Sequence, residues 1–430
     1  MPMPLGIYVS VPFCRTKCSY CNFASDVFSR AVFERYVDRV CAEIERSRVT
    51  AESMGGDMEH EIDSIYLGGG TPSILDSHQL ERIFVTIRQN FCLQTASEIT
   101  VECAPGTLSE PILDALQRTG VNRVSLGVQS FIHRESAAVG RPEQRSTIVD
   151  DMARLRARDI TNINIDLIAG LPHQTAESWE SSLSQAIDSG APHVSAYMLE
   201  IDEDSRLGRE LMAGGTRYHA HFVPDEDLTA DLYLTACERL NAAGIEQYEI
   251  SNFACAGFES RHNLKYWLRQ PYLGFGVDAH SMLRTSTDAY RLVNATGSAP
   301  PAGTQPCEIS SSDLDAVRFS TAASLDWYLS GAPLFRTPVS RRGALEETLF
   351  LGLRLQRGVD WTRVAGEFGA DAVARLSPAL DEFIQGGLMI EDGKLVRLTA
   401  RGRLLSNEIF QQFLTATDSV LEARTQGCEV

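Results

Sequence analysis

Residues 8–23 read Tyr8-Val9-Ser10-Val11-Pro12-Phe13-Cys14-Arg15-Thr16-Lys17-Cys18-Ser19-Tyr20-Cys21-Asn22-Phe23, an apolar strand that runs straight into three cysteines spaced C-x3-C-x2-C. Thiolates are soft ligands suited to iron-sulfur clusters, and three of them can hold a four-iron cube while leaving one iron without a protein ligand. That open corner is where chemistry can happen. Zinc is the competing reading, but it takes four ligands, commonly as paired C-x2-C units, and no second pair exists here. The remaining cysteines, at 41, 92, 103, 237, 255, 307 and 428, stand singly, as expected of buried thiols in a reducing cytoplasm.

Working outward, short β-branched or apolar runs alternate with helical-period segments from residue 5 to about 201, the pattern of βα units around a parallel sheet. Six strands are expected: Gly6 to Phe13, Ser64 to Gly69, Glu98 to Glu102, Arg123 to Gln129, Asn162 to Ile168 and His193 to Glu200. Apolar residues at three-to-four spacing mark covering helices over 32–46, 78–90, 110–118, 144–157 and 176–189. Six units fall short of the roughly 250 residues of a closed eight-fold barrel, so a partial (β/α)6 TIM-like barrel, open at one side, is inferred.

Parallel βα folds build their sites at the carboxyl ends of the strands, and unusual residues gather there. Strand two ends in Gly68-Gly69-Gly70-Thr71-Pro72, where missing side chains allow close backbone approach to a ligand, although a plain tight turn would read the same. Strand three ends with Glu102, a carboxylate that needs a cation or hydroxyls if it is buried. Gln129, Arg141 and Asp166 follow strands four and five, and together they supply donors and acceptors for a polar ligand.

The cysteine triad on a loop leaving a strand resembles the radical S-adenosylmethionine (SAM) superfamily, and the order of motifs resembles its HemN and HemW group. HemN proteins are oxygen-independent coproporphyrinogen III oxidases, and HemW is a heme chaperone. The resemblance implies a [4Fe-4S] cluster on Cys14, Cys18 and Cys21, with Tyr20 packed beside it. It implies SAM contacts from Tyr8, Gly69, Gly70, Thr71, Glu102, Gln129, Arg141 and Asp166, with the GGGTP element binding the SAM amino group. Ala104 stands where the family usually has Asn, so any hydrogen bond from that amide is missing.

A second dense segment holds His262-Asn263-Leu264-Lys265-Tyr266-Trp267, then Tyr272 to Ser281 with His280. Imidazole is a common axial ligand of heme iron, and flat aromatic rings pack against a macrocycle. The residues alone favour a plainer arrangement, in which His262 and His280 cap loops around a core of Tyr266, Trp267, Tyr272 and Phe275. The string resembles the HNxxYW element that implies heme binding in HemW.

The chain divides into a barrel (1–201), an extension carrying HNxxYW (202–295), a Pro- and Gly-rich linker (296–313) and a carboxyl-terminal domain (314–430). The order of helices and short strands in that last part resembles the winged-helix-like cap of the same group. The extension's segment 202–226 carries no readable signature. The net charge of -18 argues against nucleic acid as partner and against a DNA-reading role for the cap. The start lacks a basic region followed by an apolar run, and no apolar run of about eighteen residues or more occurs, so neither secretion nor a membrane span is expected.

The HemN oxidases carry a further cysteine in a C-x3-C-x2-C-x-C pattern and a longer amino-terminal extension. Here position 23 is Phe, and the first strand begins at Gly6. The resemblance therefore implies a HemW-like heme chaperone with three cofactors, the cluster, SAM and heme. Its partners would be an electron donor and acceptors such as respiratory hemoproteins. The alternative is a radical SAM enzyme that decarboxylates coproporphyrinogen III or transfers methyl groups.

Overall fold

The computed structural model describes residues 3–142, 144–285 and 313–413. All six expected strands form: β1 (Leu5–Val11), β2 (Glu61–Gly69), β3 (Cys92–Cys103), β4 (Arg123–Gln129), β5 (Asn162–Ala169) and β6 (His193–Met198). They lie parallel and in chain order. The expected helices cover them, at Phe33–Glu45, Ser77–Asn90, Glu110–Arg118, Arg145–Arg156 and Ala176–Asp188.

Successive strand residues point to opposite faces, and here the two faces differ in chemistry. Ile7, Val9, Ile65, Leu67, Val124, Leu126, Ile163 and Ile165 are fully buried and join the helices in one large core. The alternate positions fill the barrel interior with polar groups, among them Ser64, Thr100, Arg123, Ser125, Asn164, His193 and Ser195. Asn164 Nδ2 donates across strands to Ser125 Oγ at 2.7 Å and to Ser195 Oγ at 3.0 Å, and His193 Nδ1 lies 2.6 Å from Asn164 Oδ1. A lumen of this kind is a ligand chamber rather than a hydrophobic plug.

The sheet continues past the six units. Among the described residues it has twelve strands, adding β7 (Glu246–Gln247), β8 (Asn252–Ala254), β9 (Tyr272–Gly276), β10 (His280–Arg284), β11 (Leu314–Ser320) and β12 (Phe335–Ser340). Strand β9 lies parallel against β1, while β8 runs antiparallel to β6, so the barrel stays open between its two extended edges.

The sequence reading of the chain's divisions needs correction at one point. Residues 314–340 do not belong to the cap, because β11 and β12 pair onto β10 and extend the barrel sheet. The separate cap begins at the helix Arg341–Gly352. It continues through β13 (Val359–Asp360), helices Trp361–Phe368 and Ala370–Gln385, β14 (Met389–Asp392) and β15 (Leu395–Leu398), in winged-helix order around its own core. The expected linker lies outside the described residues, save Asp313.

Candidate functional site at the two ends of the barrel

Phe13, fully buried, fixes the root of the cysteine loop by stacking on Phe33 at 3.9 Å and edge-on to Tyr36 at 5.0 Å. The loop is closed by Cys14 N donating to Asp26 O and Asp26 N to Pro12 O, each at 3.0 Å. Cys18 is buried, and Cys14 and Cys21 are half-buried. Tyr20 packs on Val139, Ile168 and Leu171, walling one side of the loop. Arg141, expected as a SAM contact, donates from Nε to Cys18 Sγ at 3.0 Å and so sits beside the cysteine loop.

Among the described residues no three His, Cys, Asp or Glu side chains converge in a group that could hold a metal ion. The fit of a cluster here therefore rests on donor chemistry: three soft thiols on one short loop, with a guanidinium placed to offset thiolate charge.

The glycine turn after β2 serves the same loop. The amides of Gly70 and Thr71 donate to Val11 O and Phe13 O, both at 2.7 Å. A Cβ at Gly70 would stand 2.6 Å from Phe13 O, so only glycine lets the two backbones meet. Gly69, at φ +98°, hydrogen-bonds Glu102 through its amide.

Glu102 also accepts from Tyr66 Oη at 2.8 Å. Burial, with Asp166 nearby, pushes its carboxyl up to about 7. Asp166 is raised by burial in turn, and is held by Ser125 Oγ at 3.0 Å and Asn164 Nδ2 at 2.8 Å. Gln129 adopts φ 67° where β4 ends.

Below them, Arg123 is only 1% exposed, and its Nε has no hydrogen-bond partner among the described residues; the same holds for Thr100 Oγ1 beside it. Two carboxyls, an orphaned guanidinium nitrogen and an orphaned hydroxyl in one lumen fit a ligand that brings its own hydroxyls and charges. Sequence reasoning missed Tyr66, Arg123, Ser125 and Asn164. The signal was present as strict alternation, Ser64-Ile65-Tyr66-Leu67 and Arg123-Val124-Ser125-Leu126.

HNxxYW lies at the other end of the barrel. Its helix, Arg261–Trp267, is capped by Ser260, and Glu98 of β3 accepts from the amides of Arg261 at 3.0 Å and His262 at 3.1 Å. Lys265 Nζ binds Asp63 Oδ1 at 2.7 Å and Pro4 O at 2.8 Å. A Cβ on Gly6, at the start of β1, would meet both Lys265 and His262.

His262 is 1% exposed, its Nδ1 lies 3.0 Å from Ser64 Oγ and its Nε2 lies 2.8 Å from Tyr266 Oη. Burial pushes it down to about 3, so it is neutral. Both ring nitrogens are engaged by protein hydroxyls in this arrangement. Tyr8, expected at SAM, stacks on His262 at 6.3 Å between ring centroids. The Asn263 amide caps onto Ser260 Oγ, and Trp267 lies under Arg354 of the cap at 4.5 Å. His280 is exposed and follows the carboxyl end of β9, so the two histidines stand at opposite ends of the sheet.

Against known proteins, residues 8–186 match the radical SAM superfamily model and 339–405 the HemN C-terminal domain. The chain is 33% identical to the heme chaperone HemW of Bacillus subtilis over 95% of its length and 98% of that protein. It is 30% identical to HemW of Lactococcus lactis over 96% of its length and 97% of that protein. This chain belongs to the HemW family of radical SAM proteins. Membership implies the [4Fe-4S] cluster and SAM. Coproporphyrinogen III oxidase (HemN) from Escherichia coli shares the HemW-family fold, with a TM-score of 0.76 at 23% identity over 96% of this chain and 90% of that one. No helix among the described residues is long and apolar enough to cross a membrane.

Proposed function

We propose that this chain is a heme chaperone: it binds heme, carries a cluster and SAM, and passes heme to acceptor hemoproteins in or facing the cytoplasm. The observation that supports this reading is the relation to heme chaperones through barrel and cap together, over 95% and 96% of the chain. Phe23, 65% exposed, stands where a further loop cysteine would have to be, which agrees with a carrier rather than an oxidase.

In this reading Cys14, Cys18 and Cys21 hold the cluster, which with SAM on its open corner supplies one-electron chemistry. Arg141 offsets thiolate charge, Tyr20 keeps water from one flank of the loop, and Glu102 and Asp166 accept hydrogen bonds from SAM. The Glu102 carboxyl, pushed up to about 7, becomes a firmer acceptor when a ligand cation approaches.

The test is anaerobic. The full chain with reconstituted cluster is given hemin and then an apo-hemoprotein, and the expected result is a stable complex that is emptied by the acceptor. Failure to bind hemin, or release of decarboxylated product from coproporphyrinogen III with SAM and reductant, overturns the reading.

A further inference from the structure

Residues paired in register across parallel strands share a face, so the polar lumen is built in rows. The row Ser125, Asn164 and His193 is saturated: its members bond one another, and His193 Nε2 lies 2.9 Å from Tyr248 Oη. One step toward the floor, Tyr66, Thr100, Arg123 and Asn162 form the next row, across β2 to β5. Their chain neighbours Ile65, Leu67, Ile99, Val101, Val124 and Ile163 lie in the core against the helices, which turns this row into the lumen. Three of its four members carry a buried polar atom with no hydrogen-bond partner among the described residues: Thr100 Oγ1, Arg123 Nε and Asn162 Oδ1.

Arg123 decides the chemistry. A guanidinium keeps its proton, so burial cannot discharge it as it can a lysine. Only 1% exposed, it forms no ion pair among the described residues. The lumen carboxyls are committed elsewhere: Glu98 to the amides of Arg261 and His262, Glu102 to Tyr66 Oη, and Asp166 to Ser125 Oγ and Asn164 Nδ2. Glu102 and Asp166 feel the Arg123 charge without touching it. An unpaired buried charge is costly to keep, and a guanidinium so placed is suited to receive an anion.

The place is deep yet reachable. Arg123 opens β4 and Gln129 closes it, so about 20 Å of strand separates them at about 3.3 Å per residue. Gly69, Gly70, Gln129 and Arg141, expected at SAM, stand at the strand ends above. Toward the rim the lumen is open, and Tyr197 on the lumen face of β6 is 40% exposed. Toward the floor it is closed by the HNxxYW helix, with His262 against Ser64.

Arg123 Nε and Thr100 Oγ1 can donate to the two oxygens of one carboxylate, while Asn162 Oδ1 accepts from a hydroxyl or amine on the same molecule. Neighbouring strands lie about 4.8 Å apart, so a single small molecule spans the three. The nearby Glu102 and Asp166 disfavour a second negative charge, which sets a monocarboxylate above a phosphate. We propose that the lumen holds a small hydroxy- or amino-carboxylic acid at this row, its carboxylate on Arg123 and Thr100 and its hydroxyl or amine on Asn162. Such a ligand is distinct from SAM at the strand ends and stands independently of the heme-chaperone reading.

The full chain with reconstituted cluster is titrated anaerobically with L-lactate and L-serine at constant ionic strength, by calorimetry and by unfolding midpoint. At least one of the two should bind saturably and raise the midpoint by about 2 °C or more, with sodium chloride as the inert control. Arg123→Met should abolish that response, and Thr100→Val, which keeps the side-chain shape, should weaken binding by about tenfold. If Arg123→Met does not fold, Thr100→Val alone decides. Saturating SAM should leave the affinity unchanged. No response to either acid in the parent chain, an unchanged response in the variants, displacement by SAM, or tighter binding of inorganic phosphate each overturns the site.

Discussion

The two ends of this barrel hold their polar groups in different ways. At the floor, HNxxYW is tightly held: Glu98 holds its amides, Lys265 latches onto Asp63 and Pro4, and His262 has both nitrogens occupied, while Trp267 Nε1 has no hydrogen-bond partner among the described residues. At the rim, Cys18 meets the Arg141 guanidinium, and left-handed backbone falls at Gln129, His173, His219 and Asp278, as it also does away from the rim at Asp159 and Arg269. Saturated polar groups stabilise a fold, whereas groups left open or strained mark places where something else binds. By that standard the rim and the lumen behind it, with the orphaned Arg123 Nε and Thr100 Oγ1, are the more open part of the barrel.

The contrast can be broken or sharpened by experiment, starting with the largest effect. Cys18→Ala should drop iron content to near zero while far-ultraviolet dichroism stays native, because the loop is rooted on Phe13 and not on its thiols. The two ends should then respond oppositely to pH. His262 is neutral in the fold and ordinary when unfolded, so stability is lost as pH falls from about 6.5 towards about 3, by up to about 5 kcal/mol.

Glu102 is raised from 4.5 to about 7, so its share of stability is lost as pH rises through that window, by up to about 3 kcal/mol. Denaturant midpoints across pH for His262→Gln and Glu102→Gln, each against the parent, should flatten the acid limb and the neutral limb respectively. Equal flattening by both would erase the distinction between the ends.

Glu98→Ala should cost about 3 kcal/mol, since it orphans the buried first turn of a helix. Gly70→Ala should cost about 2 kcal/mol by forcing Phe13 O away, measured as a lower unfolding midpoint. Asp202→Ala, which removes two exposed contacts, from Asn22 Nδ2 at 3.3 Å and Asp204 N at 2.7 Å, should cost less than about 1 kcal/mol.

Much of this was legible in the residues, and the failures have physical causes. The six parallel strands announced themselves through apolar runs such as Ile163 to Leu167, because both the helix face and the neighbouring strands reward burial. Strands β7 to β12 are short or lie near the sheet edges, and sequences such as Tyr272-Leu273-Gly274-Phe275-Gly276 read as aromatic loop until β1 is seen beside them. The contact of Arg141 with Cys18 was not legible, because a spacing along the chain fixes which strand end a residue follows but not which neighbour its long side chain reaches. The floor was the hardest to read, since Lys265 meets Asp63 and Pro4 only after the sheet has curled.

Strand β1 has β2 on one side and β9 on the other, so the first strand made is flanked by one that ends at Gly276. During synthesis, the amino-terminal strand must therefore wait, half-paired, until well over half of the polypeptide has left the ribosome. The cysteines that follow it are footed on Phe33, Tyr36 and the Gly70 turn, all early in the chain, so the loop can take its shape before β1 gains its second neighbour.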